Sequence, residues 1–232
     1  MGKLINFKRE ELDYRANEAY KTLRTNIQFC GDNIKVITFT SCTPNEGKSS
    51  VSFNLAVSFA ETGKKVILID ADLRKSVLVG RYKVGEVEYG LTHFLSGQKD
   101  FEDVVHHTNT NNMDIIFSGT YSPNPVELLN SPRFSNMIDQ LRVHYDYIII
   151  DSPPLGSVID SAITAQISDG AVIVVEANAI SYRFAQSVKE QLEKSNCRIL
   201  GAVLNKVAME KNGYYGRYYG KYYGKYYGTY GK

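Results

Sequence analysis

Cysteine is scarce in this sequence, and long apolar runs are missing altogether. The three cysteines, Cys30, Cys42 and Cys197, are odd in number and form no C-x-x-C pair. That argues against a disulfide framework and against a zinc site of familiar spacing, and it suits a reducing cytosol. Nowhere do about 18 apolar residues follow one another, and residues 1–9 hold no apolar stretch, so neither a membrane span nor a signal peptide is expected. His93, His106, His107 and His144 are scattered without a spaced carboxylate or cysteine beside them, and they read as surface or packing residues.

What is present describes a folded body with an unusual end. At 232 residues, 43% hydrophobic and 22% charged, the chain can build one α/β domain around one core, burying roughly 70 to 75% of its unfolded surface. Short runs rich in β-branched residues at 36–41, 65–69, 113–117, 147–150, 171–175 and 199–204 read as buried parallel strands. Helical spacing occupies 49–61, 132–143, 161–167 and 181–194. Strand and helix alternate, which predicts a P-loop NTPase-type parallel sheet with helices on both faces. Ahead of the first strand, Ala16, Tyr20, Leu23 and Ile27 recur every three to four residues and predict an amphipathic helix over 17–29.

After Val207 the composition changes. Tyr214, Tyr215, Tyr218, Tyr219, Tyr222, Tyr223, Tyr226, Tyr227 and Tyr230 stand in a four-residue repeat with glycine and without any aliphatic residue. Such a segment cannot build a core, so residues 211–232 read as a flexible tail that spans about 25 Å as a coil and about 75 Å fully extended. The tail carries Lys211, Arg217, Lys221, Lys225 and Lys232 and no acid. Taking those five cations from the net charge of +2 leaves residues 1–210 at −3. The eight tyrosines of the body, Tyr14, Tyr20, Tyr82, Tyr89, Tyr121, Tyr145, Tyr147 and Tyr182, read mostly as packing.

The run at 36–41 leads into Cys42-Thr43-Pro44-Asn45-Glu46-Gly47-Lys48-Ser49-Ser50, and a helix follows at once. This is the setting of a P-loop, where backbone N–H groups at a helix N-terminus cradle phosphates. Residues 43–50 would form the cradle. Gly47 allows close backbone approach, Lys48 would reach the β and γ phosphates, and the Ser49 hydroxyl would bind Mg²⁺. Cys42 replaces the first glycine of the G-x-x-x-x-G-K-[ST] pattern. A Gly-Lys-Ser tripeptide also arises by chance, but two more strands end in Asp70-Ala71-Asp72-Leu73-Arg74 and Asp151-Ser152-Pro153-Pro154. Any one of these acids could instead cap a helix. Together they place three carboxylates around the crevice where a P-loop holds its nucleotide. Ser49, Asp70 and Asp151 are the candidate Mg²⁺ ligands. A tyrosine hydroxyl, with its pKa near 10, needs a base to accept a phosphoryl group, and Asp70 or Asp72 could serve.

These residues resemble the bacterial tyrosine kinases, the BY-kinase family tied to capsule and exopolysaccharide assembly. Ile67-Leu68-Ile69-Asp70-Ala71-Asp72-Leu73-Arg74 is similar to the family's Walker A′, and Ile148-Ile149-Ile150-Asp151-Ser152-Pro153-Pro154 to its Walker B. Pro123-Asn124-Pro125-Val126-Glu127-Leu128-Leu129 matches a further family stretch, and the tyrosine-rich end resembles its autophosphorylation cluster. The resemblance spans nearly the whole chain. It implies an ATP- and Mg²⁺-dependent autokinase that phosphorylates its own tail. Glu18, Lys21 and Arg24 fall on a family motif, E-x-x-R-x-x-R, linked to ring-shaped self-association. Lys21 keeps the charge of the first arginine but loses its planar fork, and a solvated charged face is the competing reading of this helix. Asn205 resembles an asparagine that contacts adenine, although asparagine is also common at strand ends.

The resemblance divides the chain into an N-terminal helical segment for self-association (1–33), a P-loop kinase domain (34–210) and the tail (211–232). It also implies a split-type kinase, cytoplasmic, recruited to the inner face of the membrane by a separate transmembrane activator. Other tyrosine-phosphorylated proteins are expected partners, and nucleic acid is not. A partitioning or division-site ATPase shares the P-loop and both aspartate motifs, but such proteins carry a lysine where this chain has Thr43 and lack a tyrosine-rich tail. An ATP-regulated scaffold with a stacking, basic tail is a third reading. A eukaryotic-type kinase is excluded, because no H-R-D or D-F-G element occurs.

Overall fold

The computed structural model describes residues 4–8 and 11–208. Seven strands form one sheet: β1 (Val36–Ser41), β2 (Val66–Asp70), β3 (Val105–His107), β4 (Met113–Ile116), β5 (Tyr147–Asp151), β6 (Gly170–Glu176) and β7 (Ile199–Asn205). Their order is β3-β4-β2-β5-β1-β6-β7. All neighbours run parallel except β3, which pairs antiparallel with β4 at the edge.

Nine helices occur among the described residues: α1 (Tyr14–Gln28), α2 (Lys48–Ala60), α3 (Leu78–Arg81), α4 (Leu91–Leu95), α5 (Phe101–Val104), α6 (Pro125–Leu129), α7 (Pro132–His144), α8 (Asp160–Gln166) and α9 (Tyr182–Glu193). Alternation along the strands sorts side chains between two layers. Ile37, Phe39, Leu68 and Ile149 pack toward α2, while Val36, Ile67, Ile69, Ile148 and Ile150 pack toward α4, α6 and α7. A third cluster joins α8 and α9 to Ala171 and Ile173 of β6.

The six expected strands and five expected helices are all present, with ends displaced by a few residues. The largest displacement is at α1, which begins at Tyr14 because the Asp13 carboxylate accepts a hydrogen bond from Ala16 N–H at 2.7 Å and caps the helix earlier than apolar spacing suggests. The strand β3 and the short helices α3 to α6 were not anticipated, since elements of three to five residues carry no readable period.

Residues 4–8 also form part of the body. Ile5 bridges to Thr108 beyond β3, and Phe7 is buried edge-on against Phe53 of α2, with ring centroids 4.8 Å apart, and against Tyr82, at 5.6 Å. Asn109 fixes this segment, accepting from Phe7 N–H at 3.1 Å and donating to its carbonyl at 3.3 Å. Ile5, Phe7 and Ile27 of α1 therefore share a core with β1 and α2.

One residue-level expectation needs correction. His107 does have a carboxylate partner: Asp114 stands opposite it across the β3–β4 pair, with Nδ1 and Oδ1 2.7 Å apart. The body tyrosines are mostly packed, as expected: Tyr20, Tyr82, Tyr89, Tyr145 and Tyr147 are buried or half-buried, while Tyr14, Tyr121 and Tyr182 are exposed. Tyr145 is held by Asp114, to which its hydroxyl donates at 2.6 Å.

Phe7 lies on a single strap of chain, so its contribution is testable in isolation. Phe7→Ala should cost about 3 kcal/mol, as large-to-small changes at buried aromatics do, and lower Tm by about 6 to 12 °C in a calorimetric scan. A shift under about 2 °C would show that the strap does not hold the edge of the sheet to α2.

Candidate active site

Register puts the acids together. Asp70, last in β2, is the direct partner of Asp151, last in β5, and β5 pairs in turn with β1, whose end opens into the loop before α2. Lys48 is the first residue of α2, and its Nζ lies 2.7 Å from Asp151 Oδ1 and 3.2 Å from Ser49 Oγ. All three charged groups are buried: Asp70 is 0% exposed, Asp151 1% and Lys48 6%. The Ser76 hydroxyl donates to the other side of Asp70. Asp72 bends the following turn, accepting from the N–H groups of Arg74 at 3.3 Å and Lys75 at 2.9 Å. Arg74 in turn grips the buried Asp160 with two parallel bonds of 2.8 and 3.0 Å.

Burial, and then the negative charge of Asp151, push the Asp70 carboxyl up to about 7, against the weaker opposing pull of Ser76 and Lys48. Two carboxylates and one ammonium leave the cluster one positive charge short. That net negative charge attracts a cation, and the hard oxygen donors of Ser49, Asp70 and Asp151 fit Mg²⁺.

The loop from Cys42 to Gly47 is shaped from inside. Asn45 (φ 68°) and Gly47 (φ 89°) are left-handed, whereas Cys42 is not. Glycine is therefore not required at position 42, and a fully buried cysteine fits, its thiol pushed up to about 12 mainly by burial and then by Glu46. Glu46, expected to line the nucleotide, is itself buried. Its Oε2 accepts from the N–H groups of Cys42 at 2.6 Å and Thr43 at 2.8 Å, so its carboxylate holds the loop's two limbs together. A Cβ at Gly47 would come within 2.1 Å of the Asn205 amide nitrogen, which donates to Glu46 O at 2.8 Å. That contact, as well as the backbone angle, demands glycine.

An open cavity of about 250 Å³ lies over this loop. Pro44, Asn45, Glu46, Gly47, Lys48, Ser49 and Asp72 border it, as do Pro153 and Val158. Thr43, Ser50 and Asn205 do not border it, and Asp70 and Asp151 are buried beneath its Lys48 and Ser49 wall rather than on its surface. The cavity also gathers Arg74, Lys75 and Arg81. The last two were not singled out from sequence, because they stand on a turn and a four-residue helix with no pattern of their own.

Glu18, Lys21 and Arg24 are not part of this site. Lys21 and Glu18 pair on α1 at 2.7 Å, while Arg24 reaches α2, donating to Ser58 O at 2.7 Å and Ser58 Oγ at 2.9 Å. The nine tail tyrosines lie outside the described residues.

The raised Asp70 carboxyl carries a sign. The folded state binds its proton more tightly than the unfolded chain, whose aspartate titrates near 4. This stabilisation is complete below about pH 4 and is lost as pH rises toward about 7. In metal- and nucleotide-free buffer, Asp70→Asn should remove much of the loss of Tm between pH 5 and 8 and be the more stable protein at pH 8. Parallel Tm profiles for the two proteins would contradict this.

The comparisons with known proteins agree with this geometry. Residues 34–200 match the family model described as AAA domain. The chain is 45% identical to the tyrosine-protein kinase CpsD of Streptococcus pneumoniae over 211 residues, which are 90% of this chain and 93% of that protein. The kinase domain of the Escherichia coli tyrosine kinase ETK superposes with a TM-score of 0.81 at 29% identity, covering 89% of this chain and 86% of that one. The septum site-determining protein MinD of Pyrococcus horikoshii, solved with Mg-ADP, is more distant, with a TM-score of 0.65 at 26% identity over 77% of this chain and 72% of its own. With its P-loop fold, its paired strand-end aspartates and a near-full-length match to CpsD, the chain belongs to the bacterial tyrosine-protein kinase family.

Proposed function

We propose that this protein transfers the γ-phosphoryl group of ATP to the tyrosines of its own C-terminal tail, one copy acting on another, and thereby regulates capsule or exopolysaccharide synthesis. The observation that carries the transfer step is the placement of the acids. Asp72 borders the cavity, whereas Asp70 and Asp151 lie beneath it around Lys48 and Ser49.

That placement separates two roles. Ser49, Asp70 and Asp151 would hold Mg²⁺, which when bound neutralises charge on the phosphate oxygens. Lys48, now neutralised by Asp151, supplies its charge to the β and γ phosphates once they enter. The N–H groups of residues 45–49 support the phosphates at the start of α2, whose N-terminus has no side-chain cap; Pro44 has no N–H, and those of Thr43 and Ser50 are held by Glu46 Oε2 and Gly47 O. Asp72 accepts the phenolic proton as the tyrosine oxygen bonds to the γ-phosphorus and the bond to the ADP oxygen breaks. Val77, Val158, Pro153 and Pro154 give the cavity an apolar wall that suits a tyrosine ring. Lys75 and Arg81 place positive charge beside it, suited to the phosphorylated product. Asn205, which donates to Glu46 O at the loop, would meet the base.

A tail of 22 residues beyond 210 can extend well past its own body, which supports transfer between copies of a homo-oligomer, a ring included. Glu18 and Lys21 on α1 remain at the surface for such contacts, while Arg24 is committed to Ser58. No helix among the described residues is long and apolar enough to cross a membrane. A separate transmembrane partner at the inner face of the membrane would therefore localise and activate the kinase, whose further substrates would be other tyrosine-phosphorylated proteins.

Mass spectrometry of residues 214–230 tests this reading directly. With ATP and Mg²⁺, alone or joined to its membrane partner, the protein should gain phosphate on these tyrosines, and Lys48→Met should gain none. A tail that stays unlabelled in both conditions while ATP is hydrolysed would favour a partitioning-type ATPase.

A further inference from the structure

The residue after Asn205 has no role in the scheme above, yet it touches the phosphate loop. Lys206 stands at the end of β7 in a left-handed turn, φ 54°. Its ammonium donates to Asn45 O at 2.6 Å and to Glu176 Oε2, at the end of β6, at 2.8 Å. One residue earlier, the Asn205 amide donates to Glu46 O at 2.8 Å. Two consecutive carbonyls of the loop are thus drawn to one strand end. Glu176 closes the arrangement from the other side, its N–H donating to Glu46 Oε1 at 3.3 Å.

We propose that Lys206 is a positioning residue for nucleotide binding, a latch that holds the crest of the P-loop in its phosphate-binding shape through the Asn45 carbonyl. The reason is geometric. In a trans peptide the N–H points opposite to the C=O. Drawing the carbonyls of Asn45 and Glu46 toward β7 turns the N–H groups of Glu46 and Gly47 to the opposite side of the loop, where an anion cradle requires them. Asn45 also needs such support, because a left-handed non-glycine residue persists only where its surroundings over-determine it. A loop without its first glycine is already stapled at its base by Glu46, and Lys206 supplies the matching constraint at the crest. The latch also ties the phosphate end of the site to the strand end that carries Asn205.

This inference rests on the reading of the loop as an ATP site, and the experiment separates the two. ATP affinity is measured by calorimetry with Mg²⁺ for the wild-type chain and for Lys206→Met, Lys206→Arg and Lys48→Met, each with a nucleotide-free Tm. Lys206→Met keeps the aliphatic stem and removes the ammonium. It should weaken ATP binding about tenfold, equivalent to about 1.4 kcal/mol, with a Tm within about 2 °C of wild type, since the side chain is half exposed. Lys206→Arg, which restores a donor and a charge, should recover most of the affinity. Equal affinity for wild type and Lys206→Met would overturn the latch and leave the ATP site standing. A Tm loss that accounts for the weaker binding, with no rescue by arginine, would make Lys206 a structural residue only and also overturn it. Failure of wild-type protein to bind ATP would instead remove the underlying site.

Discussion

The buried contact between Lys48 and Asp151, with Asp70 pressed beside it, is the constraint on which the rest of the structure depends. Two carboxylates and an ammonium withdrawn from water carry a desolvation cost that their mutual attraction offsets only when the geometry is good. Good geometry here comes from the sheet. The register between β2 and β5 fixes the distance between the acids, and the turn from β1 into α2 fixes where Lys48 enters. The partly protonated tendency of Asp70 is the remaining imbalance. A site so arranged keeps a net negative charge, which favours a metal cation arriving with the nucleotide.

Around that contact the loop is held by protein groups rather than by glycines alone. Glu46 draws its base together, Asn205 and Lys206 draw its crest toward β7, and Glu176 touches both sets. The same economy appears at the mouth of the cavity. Arg74 is consumed by Asp160 and so serves the shape of the turn after β2, while Lys75 and Arg81 add positive charge to the cavity border alongside Lys48. On the opposite flank of α2, Phe7, Phe53 and Tyr82 lock the N-terminal strap to the P-loop helix and to the segment that carries Arg81.

The central strands were legible because a fully buried parallel strand has no choice but to be a run of branched apolar residues, as Val66–Asp70 and Tyr147–Asp151 are. The loop was legible despite Cys42, since its backbone there needs no positive φ. Other features were hidden for physical reasons. Glu46 sits in a motif that binds anions, and nothing in its spacing reveals that its carboxylate turns inward. Leu4, Ile5 and Phe7 are too few for a period, and nothing in the sequence tells that Ile5 and Phe7 are buried while Leu4 is exposed. Arg24 looked free for a partner because its acceptor, Ser58, is a neutral hydroxyl on a different helix.

The central claim is that one buried site phosphorylates the tail of another copy, and a mixing experiment tests it most directly. A chain ending at residue 210, with its site intact, is combined with full-length Lys48→Met protein, ATP, Mg²⁺ and the membrane partner. Phosphate on residues 214–230 of the Lys48→Met chain is the predicted result. A tail that remains unmodified in the mixture, while full-length wild-type protein labels itself under the same conditions, would contradict transfer between copies.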